Sequence, residues 1–402
     1  MASFRLKRFS DVAVLKSIDF RLLISFLQVH KDYLTACGLR WADDPREFDY
    51  DELARILMSS TVDTPEDMLD ALYFVDNLSD AETFDRILNE AIEAGLDVSD
   101  PDISPQDLTI IVWMKKPEIL ERVHAEQFRV KQRKFESYFC AEAEIPDMPP
   151  ITEAIQAALE FDLNESYETK KKGRGTKVFP FVKENGVWFL VRHGQRINRE
   201  GTIGSNGEPG SIFYRPEKFD VLIYYPLRGE LSIHTATLGE KKAYCQYFGK
   251  HLFGREDFFC FDFPVAKYTL EPLIYDGRGA LVCSDIDGIE GIRLVELQIQ
   301  HESGQRDIEI RRANDVFLAL ENQERSLQEE IGSTNLIKAK FKIMFRGADK
   351  ERTIEVGPPN TASYDHDADG DLVQEWLLKR GFIKNQSIEE PTDEPESVLA
   401  TS

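Results

Sequence analysis

The chain has 402 residues, 42% of them hydrophobic and 30% charged, which suits two or three folded domains and excludes a fully disordered protein. Lysine and arginine number 49 against 72 aspartate and glutamate; the formal charge of −23 argues against general polyanion binding, because duplex affinity comes mainly from cations that neutralise phosphates. No apolar run is long enough to cross a bilayer, the opening Met1-Ala-Ser-Phe-Arg-Leu-Lys-Arg8 does not read as a leader, and five cysteines without a Cys-x-x-Cys pair give neither a disulfide framework nor a zinc knuckle. The expectation is a cytoplasmic protein with no membrane partner.

Residues 1–143 predict an α-helical domain. Helices are expected near 11–26 and on to 34, and near 50–58. Thr64-Pro65-Glu66 reads as an N-cap with a first-turn proline, and Ser79 with Glu82 as a capping box ahead of Phe84, Ile87, Leu88, Ala91 and Ile92, a helix that Gly95 closes. Ser104-Pro105 and Pro117 open two more, the last running to about Phe135. Residues 51–110 hold two basic side chains against sixteen acidic ones, a balance of −14.

Residues 144–176 read as a hinge: the proline-rich Glu144-Ile-Pro-Asp-Met-Pro-Pro150, a bridging helix over 151–159, and a polar linker from Asn164 to Lys177. From residue 177 to 384 the apolar period changes. Short runs at 177–183, 187–193, 219–225 and 231–237, rich in Val, Phe, Ile and Tyr, predict strands, with further ones at 280–283, 292–300, 308–310, 336–345 and 352–356. Helices interrupt near 240–248, 315–320 and 371–380. The connections are too short for repeated crossover helices, so the fold class is α+β: a helical domain followed by a mostly antiparallel α+β domain. Residues 385–402, acidic and without aromatics, predict a disordered tail. Residues 170–280 carry eighteen basic against twelve acidic side chains, a balance of +6, so the chain is polarised in charge along its length.

Trp188-Phe-Leu-Val-Arg-His-Gly-Gln195, continuing through Asn198 and Gly201, resembles the strand-loop signature of the histidine phosphatase family. The resemblance implies His193 as phosphate acceptor and Arg192 as the cation holding phosphate oxygens. The family's second Arg and second His motifs do not follow: neither His234 nor His251 sits in one, and a glycine-rich loop (Gly201, Gly204, Gly207, Gly210) stands where a helix is expected.

Other strings have chemistry of their own. Lys170-Lys171-Lys172-Gly-Arg174-Gly-Thr-Lys177, with Arg196 beyond it, forms a basic segment suited to an acidic or phosphate-rich partner, although a solvated linker is the simpler account; nucleic acid is the less favoured partner and protein the more favoured. Asp365, Asp367, Asp369 and Asp371 occupy positions 1, 3, 5 and 7 of a calcium-loop pattern, but Trp376 stands where the closing glutamate belongs, and helix capping explains the run as well. Asp287 with Glu296, and Asp220 with Glu230, have the separation of carboxylates that hold Mg²⁺ for hydrolysis, without the lysine of a Glu-x-Lys pattern. His30 and His124 lie among apolar residues at helical spacing and read as core or boundary histidines. Which cofactor, if any, the chain uses is left open by these strings. The leading expectation is a non-catalytic interaction or regulatory subunit of a larger cytoplasmic assembly, joining an acidic helical domain to a more basic β-rich one; the alternative is a metal-dependent nuclease or other phosphoesterase.

Overall fold

A computed structural model describes residues 6–59, 64–140, 144–203, 207–262, 265–301, 307–331 and 335–384; the tail read as disordered, and Gly204, lie outside them. The chain is an α+β mixture with its helices mostly N-terminal. It divides into two compact units, Met1–Arg129 with Gly194–Phe219, and Val130–His193 with Asp220–Ser402.

The first unit contains α1 (Val12–Ser17), α2 (Phe20–Leu27), α3 (Lys31–Ala36), α4 (Tyr50–Met58), α5 (Glu66–Leu78), α6 (Ala81–Glu93), α7 (Pro105–Lys115) and α8 (Pro117–Lys131). Side chains of Asp11, Asp19, Asp49, Asp80 and Ser104 accept backbone N–H groups at the starts of α1, α2, α4, α6 and α7. Two expected caps are placed differently. Asp80, not Ser79, caps α6, because the Ser79 hydroxyl is turned back onto the Val75 carbonyl. Thr64 instead bonds the Tyr33 hydroxyl at 2.8 Å, and Pro65 starts α5 without a side-chain cap. Helix α7 lies between two cores, giving Ile110 to the one built on α1–α5 and Leu108 and Val112 to the one built on α5, α6 and α8. The carboxylate of buried Asp76 on α5 takes the backbone N–H groups of Lys7, Arg8 and Phe9 at 2.9, 2.6 and 3.2 Å, which pins the segment ahead of α1.

The second unit is a sheet with helices against it. In chain order it runs β1 (Lys134–Phe139), α9 (Glu153–Thr169), β2 (Lys177–Lys183) and β3 (Gly186–Gly194). After the hairpin β4 (Asn198–Ile203) and β5 (Pro209–Tyr214), which belongs to the first unit, come β6 (Glu217–Tyr225), β7 (Glu230–His234), α10 (Leu238–Phe253) and α11 (Glu271–Tyr275). It ends with β8 (Ile289–Gln300), β9 (Ile308–Arg312), α12 (Val316–Glu321), α13 (Leu327–Ile331), β10 (Asn335–Phe345), β11 (Arg352–Gly357), β12 (Thr361–Ser363) and α14 (Gly370–Lys379). The ten strands order as β2-β3-β6-β7-β1-β12-β11-β10-β8-β9, antiparallel as expected. Each half of the sheet has its own core: α9 and α10 cover the first, while α11, α12 and α14 cover the second through Leu273, Phe317, Trp376 and Leu377. Gly186 lets β3 approach β6, since a Cβ there would lie 2.5 Å from the Tyr224 carbonyl oxygen.

Three local expectations are corrected. Strand β1, which joins the two halves of the sheet, was read as the end of a helix; its aromatic-rich Lys134-Phe-Glu-Ser-Tyr-Phe139 pairs with both β7 and β12. Helix α9 continues to Thr169 because Leu159, Leu163 and Tyr167, at i, i+4 and i+8, are buried, while the polar residues of the supposed linker occupy its other faces. The run near 280–283 is a short 3-10 turn, Gly277–Leu281, not a strand.

Candidate functional site

The densest cluster of chemistry-bearing side chains is inside the sheet unit. The apolar run Val187–Val191 makes β3 a buried strand and carries His193 near its end; Val221–Tyr225 does the same for β6, with Asp220 just before the run. Thr237 caps α10 in a full capping box, which places Glu240 in its first turn, facing the sheet. These three elements bring His193, Asp220 and Glu240 together. Among the described residues this is the one group of three such ligands whose donor atoms all lie within 4.8 Å of one another.

The group is buried and internally bonded. His193 Nε2 lies 2.9 Å from Asp220 Oδ2 and 3.8 Å from Glu240 Oε1; the side chains of His193 and Asp220 are 0% exposed and that of Glu240 is 2% exposed. Tyr167 donates to the Tyr244 hydroxyl at 2.6 Å, and Tyr244 donates to Asp220 Oδ2 at 2.7 Å. Burial, followed by the Asp220 charge, pushes both phenols well above their ordinary range, so they remain donors. The Tyr167 ring stacks on the His193 imidazole with centroids 4.5 Å apart. Glu240 Oε1 is met by the Lys172 ammonium, and Glu240 Oε2 accepts from the Thr235 hydroxyl and the Thr237 N–H. One imidazole and two carboxylates are a donor set that transition metals accept. Here, however, Lys172 sits on the Glu240 oxygen a metal would need, and His193 faces Asp220 directly. The arrangement is a hydrogen-bonded relay closed to solvent.

A second polar network lies nearer the centre of the sheet. Glu230 on β7 pairs with Lys267 at 2.5 Å and accepts from the hydroxyls of Ser137 and Ser232, both at 2.8 Å; Arg228 lies 3.3 Å from its other oxygen. Burial alone would raise the Glu230 carboxyl, but the Lys267 and Arg228 charges and these hydrogen bonds outweigh it and hold it at about 2. His366 lies between Phe135 and Tyr364, with its Nδ1 3.4 Å from the Tyr225 hydroxyl. Its Nε2 is shielded from solvent, and desolvation followed by the Lys267 charge lowers the imidazole to about 3.

The remaining sequence candidates disperse. Arg192 turns over the Phe179 ring at 5.9 Å. Asp220 and Glu230, read as a possible metal pair, serve the two separate networks. Asp287 is 88% exposed and pairs with Arg346, whereas Glu296 is held by Arg312 at 2.5 Å and Lys340 at 3.2 Å. Of the basic segment, Lys170 donates to the Gly239 carbonyl at 3.2 Å, Lys172 meets Glu240, Arg174 bonds Glu165 and Glu168, and Lys177 lies 3.3 Å from Glu160. Lys171 takes the left-handed backbone conformation that turns the chain after α9. The segment is therefore a bonded turn tying α9 to α10, not a solvated linker; Arg196, in the first unit, is exposed. In the calcium-like run, Asp365 accepts its own loop's N–H groups from Asp367 and Ala368, Asp369 pairs with Arg352, and Asp371 accepts from Asn185. Asp367 is exposed, and none of the four belongs to the three-ligand group above. His124 is buried with its Nε2 3.1 Å from the Tyr73 hydroxyl.

Two surface features complete the inventory. A cavity of about 450 Å³ in the sheet unit is lined by Lys242, Cys245, Glu256, Asp257, Cys260 and Phe261, among others. Burial pushes both thiols up, away from the thiolate form that attacks substrates. In the first unit, β4 and β5 pair only with each other among the described strands. Their register puts Arg199 opposite Phe213, Gly201 opposite Ser211, and Ile203 opposite Pro209, so these six share one face. Ile197, Ile203 and Phe213 are 60%, 69% and 68% exposed.

Reading the sequence missed Tyr167, Glu240, Tyr244 and Lys267. Only Glu240 had a local signal, the Thr237-x-x-Glu240 spacing of a capping box. No protein-family model matches the chain, and no similar curated protein is found.

Proposed function

We propose that this chain is a non-catalytic interaction or regulatory protein, a subunit of a larger cytoplasmic assembly that presents an acidic helical unit together with a sheet unit. One observation carries the reading: among the described residues, the catalytic candidates Arg192, His193, Asp287 and Glu296 do not meet in one cavity. His193 and Asp220 are sealed against each other, Glu296 is bound under two cations, and Asp287 stands apart on the surface with Arg346. General acid–base or nucleophilic work needs a group within reach of substrate, and a fully buried pair without an opening does not provide one. Five free cysteines suit a reducing compartment.

The test is an assay of the purified chain with Mg²⁺ against p-nitrophenyl phosphate and against single-stranded and duplex DNA, beside Glu296→Gln, Arg192→Ala and His193→Ala. No turnover is expected in any of them, and native mass spectrometry of the protein isolated from its own source is expected to show a complex of defined stoichiometry. Hydrolysis by the parent chain that any of these variants loses while retaining its circular-dichroism spectrum overturns the reading.

A further inference from the structure

We propose that the hairpin β4–β5 is a docking edge for an extended, acidic and apolar segment of a partner protein, which adds to it as a third strand. The inference rests on the interaction reading above and specifies the surface and the chemistry of its partner. Three observations converge on it. Among the described residues, four large hydrophobic side chains left exposed, Ile197, Ile203, Ile212 and Phe213, fall within seventeen positions of one hairpin, more than the pair Ile308 and Ile310 on β9. Ile203 and Phe213 lie on a single face, while Ile212 shares the other with Glu200 and Tyr214. The hairpin also forms a two-stranded sheet of its own, so one edge of each strand presents peptide groups that no described strand pairs. Natural sheets blunt such edges with lysine, proline or an inward charge; here Pro209 stands only at the first position of β5, and β4 has no lysine or proline.

Charge selects the partner. The apolar face carries Arg199 and no carboxylate, and exposed Arg196 adjoins it. Glu200 lies on the opposite face, where it accepts the Tyr214 hydroxyl at 2.7 Å. The hairpin is anchored at its base: Phe219 stacks on Phe128 of α8 at 4.3 Å, the Gln195 N–H donates to the Pro216 carbonyl at 2.8 Å, and Arg215 donates to the Gln195 carbonyl at 2.7 Å. A held base with an open edge suits strand addition, in which main-chain hydrogen bonds give affinity and alternate side chains give selection. An incoming strand whose apolar residues stand on the face of Ile203 and Phe213 would cover them, and carboxylates on that same face, two places beyond the apolar ones, would meet Arg199.

The test uses the full chain and a fluorescein-labelled octapeptide Glu-Thr-Val-Thr-Val-Thr-Glu-Thr (the Glu–Val peptide), whose valines and glutamates share one face when extended, read by fluorescence anisotropy. Saturable binding of the Glu–Val peptide is expected, weakened at least tenfold by Phe213→Ser with Ile203→Ser, weakened by Arg199→Glu, and reduced by added salt. These positions are exposed, so circular dichroism should be unchanged. A Glu–Val peptide N-methylated at alternate residues, which keeps its side chains but cannot extend a ladder, should not bind. Absence of saturable binding, binding indifferent to the serine pair, equal binding of a Lys–Val peptide, or equal binding of the N-methylated peptide overturns the proposal. A chain dimer in analytical ultracentrifugation that the serine pair dissolves also overturns it, by making a second copy the occupant. Failure here without phosphoesterase turnover removes the hairpin alone; turnover removes the interaction reading itself.

Discussion

Lys267 and Glu230 form an ion pair in the interior of the sheet unit, Nζ to Oε1 at 2.5 Å, with side chains 4% and 0% exposed. Neither charge is stable there alone. Lys267→Met leaves a buried carboxylate with Arg228 as its remaining cation and is expected to destabilise the unit by about 3–5 kcal/mol, whereas Lys267→Met combined with Glu230→Gln recovers most of the loss. Urea unfolding of the two single variants and the double gives the coupling directly. If the losses simply add, the pair contributes no coupling of its own.

The same network fixes how stability depends on pH. Glu230 titrates near 2 in the folded chain and near 4.5 unfolded, so its contribution is present above pH 4.5 and lost as pH falls from 4.5 toward 2. His366 is lowered from 6.5 to about 3, so between those values the unfolded chain binds the proton first and acid favours unfolding. Both groups act in one direction, and the histidine acts first. About 2–3 kcal/mol is expected to be lost between pH 6.5 and 4.5, and His366→Phe, which keeps a ring against Phe135 and Tyr364, should flatten that interval while leaving the fall below 4.5. Chemical denaturation of both proteins at half-unit pH intervals measures it; a parallel decline in the variant assigns the loss to other groups.

What the sequence reveals divides by range. The helices of the first unit follow from local grammar, apolar residues at 3.6 spacing between Asp or Ser caps and Gly95, and need no distant partner. The strands β3 and β6 are equally legible because each carries an unbroken apolar run, Val187–Val191 and Val221–Tyr225. Strand β1 is not, since Lys134-Phe-Glu-Ser-Tyr-Phe139 directly follows a helix and owes its extended form to β7 and β12, which lie about a hundred and two hundred residues further on. His193 stands out through a local string, yet Asp220, Tyr167 and the pair Glu240 and Tyr244 come from three other elements, β6, α9 and α10. Only their meeting shows the histidine to be enclosed. The cations around residues 170–177 are hard to read for the same reason: Arg174 and Lys177 find their carboxylates at Glu165, Glu168 and Glu160 on α9, which runs further than its apolar start suggests, and Lys172 finds Glu240 on α10.

That enclosure makes a prediction separating structure from catalysis at His193. Asp220→Asn keeps the shape but removes the charge that faces the imidazole and the Tyr244 hydroxyl, and His193→Ala leaves Asp220 buried beside a void. Each is expected to lower unfolding free energy by about 2–4 kcal/mol. A catalytic dyad behaves otherwise, because groups placed for chemistry can be removed with little loss of stability. Melting curves of both variants decide it, and a melting temperature within a degree of the parent for either would refute the structural role.

Helix α10 offers a paired test in which intrinsic propensity and packing oppose each other. Alanine is favoured over glycine inside a helix by about 1 kcal/mol. At Gly239 an added Cβ meets nothing nearer than the end of the Lys170 side chain at 3.8 Å, so Gly239→Ala should be neutral or slightly stabilising. At Gly249 the same atom would lie 2.6 Å from the Arg255 carbonyl oxygen and 3.1 Å from Phe258 Cβ, where the chain folds back after the helix. The obstruction is backbone and a buried ring, neither of which can move aside without disturbing the core of Phe253, Phe258 and Phe259. Gly249→Ala is therefore expected to destabilise by about 1–3 kcal/mol despite the better helix former. Urea midpoints for the two variants should shift in opposite directions or differ by at least that margin; equal midpoints would mean that the turn after α10 yields freely, and that the close approach at Gly249 does not constrain the fold.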